Sequence, residues 1–183
     1  KNTGAAIHAY RQAVDINPRD YRAWHALGQT YEILQMPFYA LFYYRKATAL
    51  RPYDARMWIP LAGCYKLLGR REEAIRCFER AESNNDSEGI ALQELAHLHH
   101  EAGNHAMAAN CYARNLARRD ALQLEGTDTI EALKYLADHC KRRNELVQAQ
   151  NFCTRLLECG GAQDVEEAKA MLREIRSVMQ HRR

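Results

Sequence analysis

No CxxC pair stands among the six cysteines, Cys64, Cys77, Cys111, Cys140, Cys153 and Cys159, and no histidine keeps a regular spacing to them. The cysteines therefore read as small buried hydrophobes of a reducing compartment, not as zinc or disulfide positions. No apolar run approaches the roughly 20 residues that cross a bilayer, and no charged start precedes a hydrophobic signal core. A dominant charge is missing too. Lys and Arg number 26 against 23 Asp and Glu, a net charge of +3 with the signs interspersed. That argues against a nucleic-acid or membrane surface. Nor is there a Ser–His–Asp set, a glycine-rich phosphate loop, an HExxH or a paired-carboxylate cleft. No enzymatic activity, cofactor or metal is expected, and the chain reads as soluble and intracellular. It opens at Lys1 with a helix whose partner is missing, which reads as a piece of something longer.

What is present is a core's worth of apolar residues, 47% of the chain, arranged with a period of 34. Residues 21–54 carry Trp24, Leu27, Gly28, Tyr31, Ala40, Tyr44, Ala47 and Pro52. Residues 55–88 repeat this as Trp58, Leu61, Ala62, Tyr65, Ala74, Phe78 and Ala81, with Asp86 in place of the proline. Residues 89–122 are more degenerate, with Leu92, Leu95, Ala96, His99, Ala108 and Tyr112. A fourth copy, 130–163, resumes with Leu133, Leu136, Ala137, Cys140, Ala149 and Cys153. It starts seven residues late, so 123–129 reads as an inserted loop. Residues 1–20 supply Ala6, Tyr10, Ala13 and Pro18, the second half of a truncated repeat, and 164–183 read as a capping helix bearing Ala168, Leu172, Ile175 and Met179. This is the tetratricopeptide pattern, W-x₂-L-G-x₂-Y…A-x₃-F…P. The predicted fold is all-α, a superhelical solenoid of antiparallel helix pairs in one array.

The residue types have physical reasons. Small residues at Gly28 and Ala40 let two backbones approach while the larger positions fill the space beside them. Asp20 and Asp54 are placed to cap the helices that follow Pro18 and Pro52. Gly69 and Gly103 are placed to end first helices. Pro37 is expected to occupy the internal turn of its repeat.

HLHHEAGNH places His97, His99, His100 and His105 within nine residues, and His97 with His100 puts two imidazoles on one helix face. His99 falls on the packing slot held elsewhere by Tyr31 and Tyr65, and no thiolate or carboxylate completes a ligand set, so a packing role is favoured over a metal.

In such arrays the first helix of each repeat lines the concave surface. That stripe reads Arg22, His25, Gln29 and Glu32, then Arg56, Ile59, Gly63 and Lys66, then Ile90, Gln93, His97 and His100, then Glu131, Lys134, Asp138 and Lys141. Its mixture suits an extended peptide, the alternative being a solvated face. A clamp for an acidic C-terminal tail, as in co-chaperone adaptors, would need Lys and Asn where His25, Gln29 and Pro60 stand. The segment from Phe38 to Tyr44 packs five rings into seven positions. Phe38 and Leu41 are expected to face neighbouring helices. Tyr39, Phe42 and Tyr43 are expected on the convex side as a subunit interface, unless adjacent helices cover them.

YRAWHALGQTYEILQMPFYALFYYRKATALRP, residues 21–52, together with AYRQAVDINPRDYRAW and LRPYDARMW, resembles the tetratricopeptide scaffold subunits of the anaphase-promoting complex, most closely the eighth-subunit family. The likeness runs through about residue 163 and weakens along the way. It implies a non-catalytic part of a multi-subunit ubiquitin ligase, nuclear and cytoplasmic. It also implies stacking on other tetratricopeptide subunits and homodimers formed by N-terminal repeats outside this chain. The groove would receive the basic C-box motif from the N-terminus of a coactivator. On the matching segment, Glu32 and Gln29 with His25 and Arg22 are the groove positions, with Arg56, Lys66, Gln93 and His97 continuing it and Glu101 as a second acidic candidate.

Overall fold

The computed structural model describes residues 2–180, and among these it contains ten helices joined by short turns. They are α1 (Thr3–Ile16), α2 (Tyr21–Ile33), α3 (Pro37–Leu50), α4 (Ala55–Leu67), α5 (Arg71–Ser83), α6 (Ile90–Glu101), α7 (His105–Ala121), α8 (Thr127–Arg142), α9 (Leu146–Cys159) and α10 (Ala162–Gln180). None is long and apolar enough to cross a membrane. The chain forms two compact units, Lys1–Leu95 and Ala96–Arg183, with the division inside α6.

In the first unit α2 pairs with α3 and α4 with α5, while α1 packs on α2 and α3 on α4. The periodic residues are the buried ones. Leu27, Gly28, Tyr31, Ala40, Tyr44 and Ala47 fill the first pair, and Leu61, Ala62, Ala74, Phe78 and Ala81 the second. Gly28 is obligatory for a steric reason, because a Cβ there would stand 2.5 Å from two carbons of the Tyr44 ring. Each pair is tied to the turn before it by an indole. Trp24 Nε1 donates to the Pro18 carbonyl at 2.9 Å and Trp58 Nε1 to that of Pro52 at 2.8 Å. Asp20 and Asp54 cap α2 and α4 by accepting from the amides of Arg22 and Arg56. Asp86, where the proline motif lapses, accepts from the Ala91 amide at 2.7 Å near the start of α6.

The internal turns share one geometry. Gln35, Gly69, Gly103 and Asn144 each take a positive φ, 57°, 71°, 75° and 64°. The next residue's amide reaches back to the last turn of the helix, as Met36 does to the Tyr31 carbonyl and Arg70 to that of Tyr65. This double closure satisfies the carbonyls that a helix end leaves open. The expectation that Pro37 fills the turn is corrected: Gln35 holds the left-handed position and Pro37 is the first residue of α3, where its missing N–H costs nothing.

In the second unit α8 pairs with α9, α7 packs on α8, and α10 lies on α9 and touches α8. Ala137, Cys140, Ala149, Cys153, Leu172 and Ile175 form its core, with Met179 packed against it. The inserted loop is shorter than the expected 123–129, because α8 already begins at Thr127. The extra residues prolong helices instead: α7 has 17 residues against 14 in α3, and α8 has 16 against 13 in α2. Arg119 pins the connection, donating to Thr129 Oγ1 at 2.8 Å and to Asp128 at 3.0 Å. The last helix starts at Ala162, ahead of the expected Asp164. That side chain instead accepts from the Gly161 amide and pairs with Lys134. The expected capping segment's residues 181–183 and the first segment's Lys1 lie outside the described residues.

Candidate functional site: a groove in the first unit

Residues one helical turn apart on α2 and α4 line a groove of about 820 Å³. Arg22, His25, Gln29 and Glu32 come from α2, Arg56, Ile59 and Pro60 from α4, and the turn before α6 closes one side with Asn84, Asn85 and Asp86. A second basin of about 710 Å³ shares Glu32, Ile59, Pro60 and Ile90 and adds Gly63, Lys66, Leu67, Phe78 and Glu94. A Cβ at Gly63 would meet nothing within 4 Å, so the helix surface there is open. Arg22, His25, Gln29, Glu32, Arg56 and Lys66 are thus brought together as expected from the sequence. Gln93 does not line either basin; Ile90 and Glu94 of the same helix do.

Charge in the groove is distributed unevenly. Arg22 bonds to Asp20 at 3.2 Å, Arg56 to Asp54 at 2.8 Å, and Lys66 to Glu94 at 2.6 Å. The backbone amide of Arg22 and then its guanidinium hold Asp20 below the ordinary carboxylate range, and the guanidinium and amide of Arg56 do the same to Asp54. Glu32 has no such cation among the described residues. It accepts a 2.6 Å hydrogen bond from the Tyr44 hydroxyl, whose own proton is held more tightly by burial and by that bond. His25, its ring tilted by 54° against that of Tyr44 at 5.4 Å, is pushed down by burial and stays neutral at pH 7. Half-buried and fixed from below, Glu32 presents a carboxylate in position to receive a donor.

Sequence reasoning missed three parts of this site. Tyr44 was read as core, although its hydroxyl reaches the groove. The Asn84–Asp86 turn was given no groove role. Tyr21 and Tyr53 also line the groove, with Arg51 lying 4.8 Å over the Tyr21 ring.

His97 and Glu101 were expected to continue the groove; His97 and the last turn of α6 lie in the second unit. There His97 Nε2 lies 2.7 Å from Glu131, which also accepts from Tyr112. His100 and Tyr135 meet edge-on at 5.0 Å, and His105 Nδ1 lies 3.3 Å from the Tyr135 hydroxyl. His99 is buried. No group of three or more His, Cys, Asp or Glu among the described residues has the geometry to hold a metal. All six cysteines are free thiols, five of them buried.

The aromatic segment divides in a way the sequence did not reveal. Phe38, expected against a neighbouring helix, is 73% exposed, while Leu41 is buried. Phe38 lies two residues from the buried Ala40, on nearly the opposite side of the helix. Tyr43, expected to be surplus to the core, stacks on Tyr31 at 5.2 Å and lies 6.0 Å from Trp24, so α2 half-covers it. Tyr39 also stacks on Tyr31, at 5.3 Å, but stays half-exposed, as does Phe42.

The tetratricopeptide repeat model matches residues 21–54 and 55–87. MamA matches the fold with a TM-score of 0.70 at 21% identity, over 92% of this chain and 91% of that chain. YrrB, described as a TPR protein with an unusual peptide-binding site, matches with a TM-score of 0.72 at 16% identity, over 95% and 85%. At these identities the likeness is one of fold. Anaphase-promoting complex subunit 8 of Arabidopsis thaliana is 51% identical over 102 residues, and that of Dictyostelium discoideum is 51% identical over 103. Each match covers 56% of this chain and 17% of the relative, so the chain matches only about one-sixth of their length. With its helix pairs and its repeat motif together, the chain has an all-α tetratricopeptide-repeat fold, and over 56% of its length it is similar to anaphase-promoting complex subunit 8.

Proposed function

We propose that the chain is a non-catalytic scaffold element of an anaphase-promoting complex, the ubiquitin ligase of the cell-division cycle, and that its first-unit groove receives a short basic segment of a coactivator, a C-box-like motif. The same reading includes contacts with other tetratricopeptide subunits, homodimerisation through repeats outside this chain, and residence in nucleus and cytoplasm.

The observation that carries the groove assignment is the charge balance. Arg22, Arg56 and Lys66 already have carboxylates, whereas Glu32 is held by a neutral hydroxyl and awaits a cation. A ligand arginine meeting Glu32 would form a charge-assisted pair worth about 1 to 3 kcal/mol, towards the lower end at a half-exposed site. An acidic tail would instead compete with three formed pairs and meet a neutral His25. The open surface at Gly63 and the apolar floor of Ile59 and Phe78 leave room for an uncharged neighbour of that arginine.

Titration of the chain with fluorescent peptides, one a basic C-box sequence and one an acidic C-terminal tail, tests this reading by anisotropy. The basic peptide binds and the acidic one does not. Tighter binding of the acidic tail would replace the reading with a co-chaperone-like adaptor, and binding of neither would remove the groove assignment.

A further inference from the structure

We infer that the outer face of α3 is a docking stripe for an acidic, apolar-rich segment of a partner protein, an inference that rests on the reading of the chain as an assembly scaffold. At about 100° per residue, Phe38, Tyr39, Phe42, Arg45 and Lys46 fall within an arc of about 120°. The opposite side is the buried one, with Ala40, Leu41, Tyr44, Ala47 and Thr48. Phe38, Tyr39 and Phe42 expose 73%, 53% and 52% of their surfaces. An isolated exposed ring is ordinary; three on one stripe of a single helix form a contiguous apolar surface. Two of the rings are already braced. Tyr39 stacks on Tyr31, and Phe42 meets Tyr43 edge-on at 5.1 Å. Braced rings lose little rotamer freedom when a partner covers them.

Charge identifies the kind of partner. From Ile33 to Tyr53 the chain holds Arg45, Lys46 and Arg51 and no carboxylate. Arg51 is engaged with Tyr21. Lys46 lies 5.7 Å over the Phe42 ring. Neither Arg45 nor Lys46 has a carboxylate within ion-pair distance among the described residues, in contrast to Arg22, Arg56, Lys66 and Arg70 of the same unit. A segment whose apolar side chains cover Phe38 and Phe42, with carboxylates one to two turns further along, satisfies both features over about 12 Å of helix.

The test uses the whole chain and two labelled amphipathic helical peptides with the same Leu and Phe positions, one carrying Glu and the other Lys on its polar positions. The Glu peptide binds. Arg45→Glu with Lys46→Glu weakens it at least tenfold and transfers the preference to the Lys peptide, and Phe42→Ala weakens it severalfold. Circular dichroism stays unchanged, since all three side chains are exposed. Glu32→Gln leaves Glu-peptide binding intact while weakening the basic groove peptide, so failure of either assignment is visible separately. Equal binding of the two peptides, indifference to the charge reversal, or a preference for phosphatidylserine vesicles or single-stranded RNA over the Glu peptide would overturn the inference.

Discussion

The Tyr44 hydroxyl donates a 2.6 Å hydrogen bond to the Glu32 carboxylate, joining the core of the α2–α3 pair to the groove. The ring of Tyr44 packs on Gly28 and is fully buried, so its one polar atom is fixed by the fold. Packing and ligand reception therefore meet in a single side chain. Tyr44→Phe keeps the ring and removes the donor. It is expected to cost about 1 kcal/mol in urea unfolding and to weaken basic-peptide binding a few-fold, because Glu32 regains rotamer freedom. Unchanged affinity would separate the two roles.

Gly28→Ala places a methyl group 2.5 Å from the Tyr44 ring. A buried ring between two helices has little room to yield, so the expected loss is about 3 kcal/mol by urea unfolding, with helical content retained. A loss below about 1 kcal/mol would mean that the helix pair spreads easily.

The turns can be tested in opposite directions. Gly69→Ala forces an L side chain into φ 71° and is expected to destabilise by about 1 kcal/mol. Gln35→Gly relieves the same strain at φ 57° and is expected to be neutral or to stabilise by up to about 1 kcal/mol. Thermal melts of both variants read the two signs.

Much of this architecture was legible in the sequence, since the 34-residue period consists of the positions that must be small or must be buried. Gly28 opposite Tyr44, the capping Asp20 and Asp54, and the stripe Ala168, Leu172 and Ile175 of α10 are local demands of one helix pair or one helix face. The groove's charge state was not read, although its signal was there: Asp20 with Arg22 and Asp54 with Arg56 stand at the same spacing at two helix starts, and a capping aspartate neutralises the arginine two residues on. The aromatic run misled because residue type alone does not tell a covered ring from an open one. Tyr43 is claimed by Tyr31 across the helix pair, a contact with no sequence period, while Phe38 and Phe42 find no such partner.

Burial raises the Cys64 thiol from its ordinary 9.0 to about 12 and that of Cys77 to about 11. Both folded-state values lie above the unfolded one. Their contribution to stability is therefore complete below about pH 9 and is lost as pH rises through 11 to 12. Unfolding midpoints in urea should hold up to about pH 9 and fall above it, and alkylation of the native chain at pH 8 should spare both thiols. Rapid modification of Cys64 in the folded state would contradict its burial.

The most direct test of the central claim, that the groove holds a carboxylate prepared for a cation, is the ratio of basic-peptide to acidic-peptide affinity in the wild-type chain and in Glu32→Lys. The ratio is expected to exceed about 10 in the wild type and to fall below 1 in the variant, following charge-pair energies of about 1 to 3 kcal/mol. A ratio that does not move when Glu32 changes sign would contradict the account.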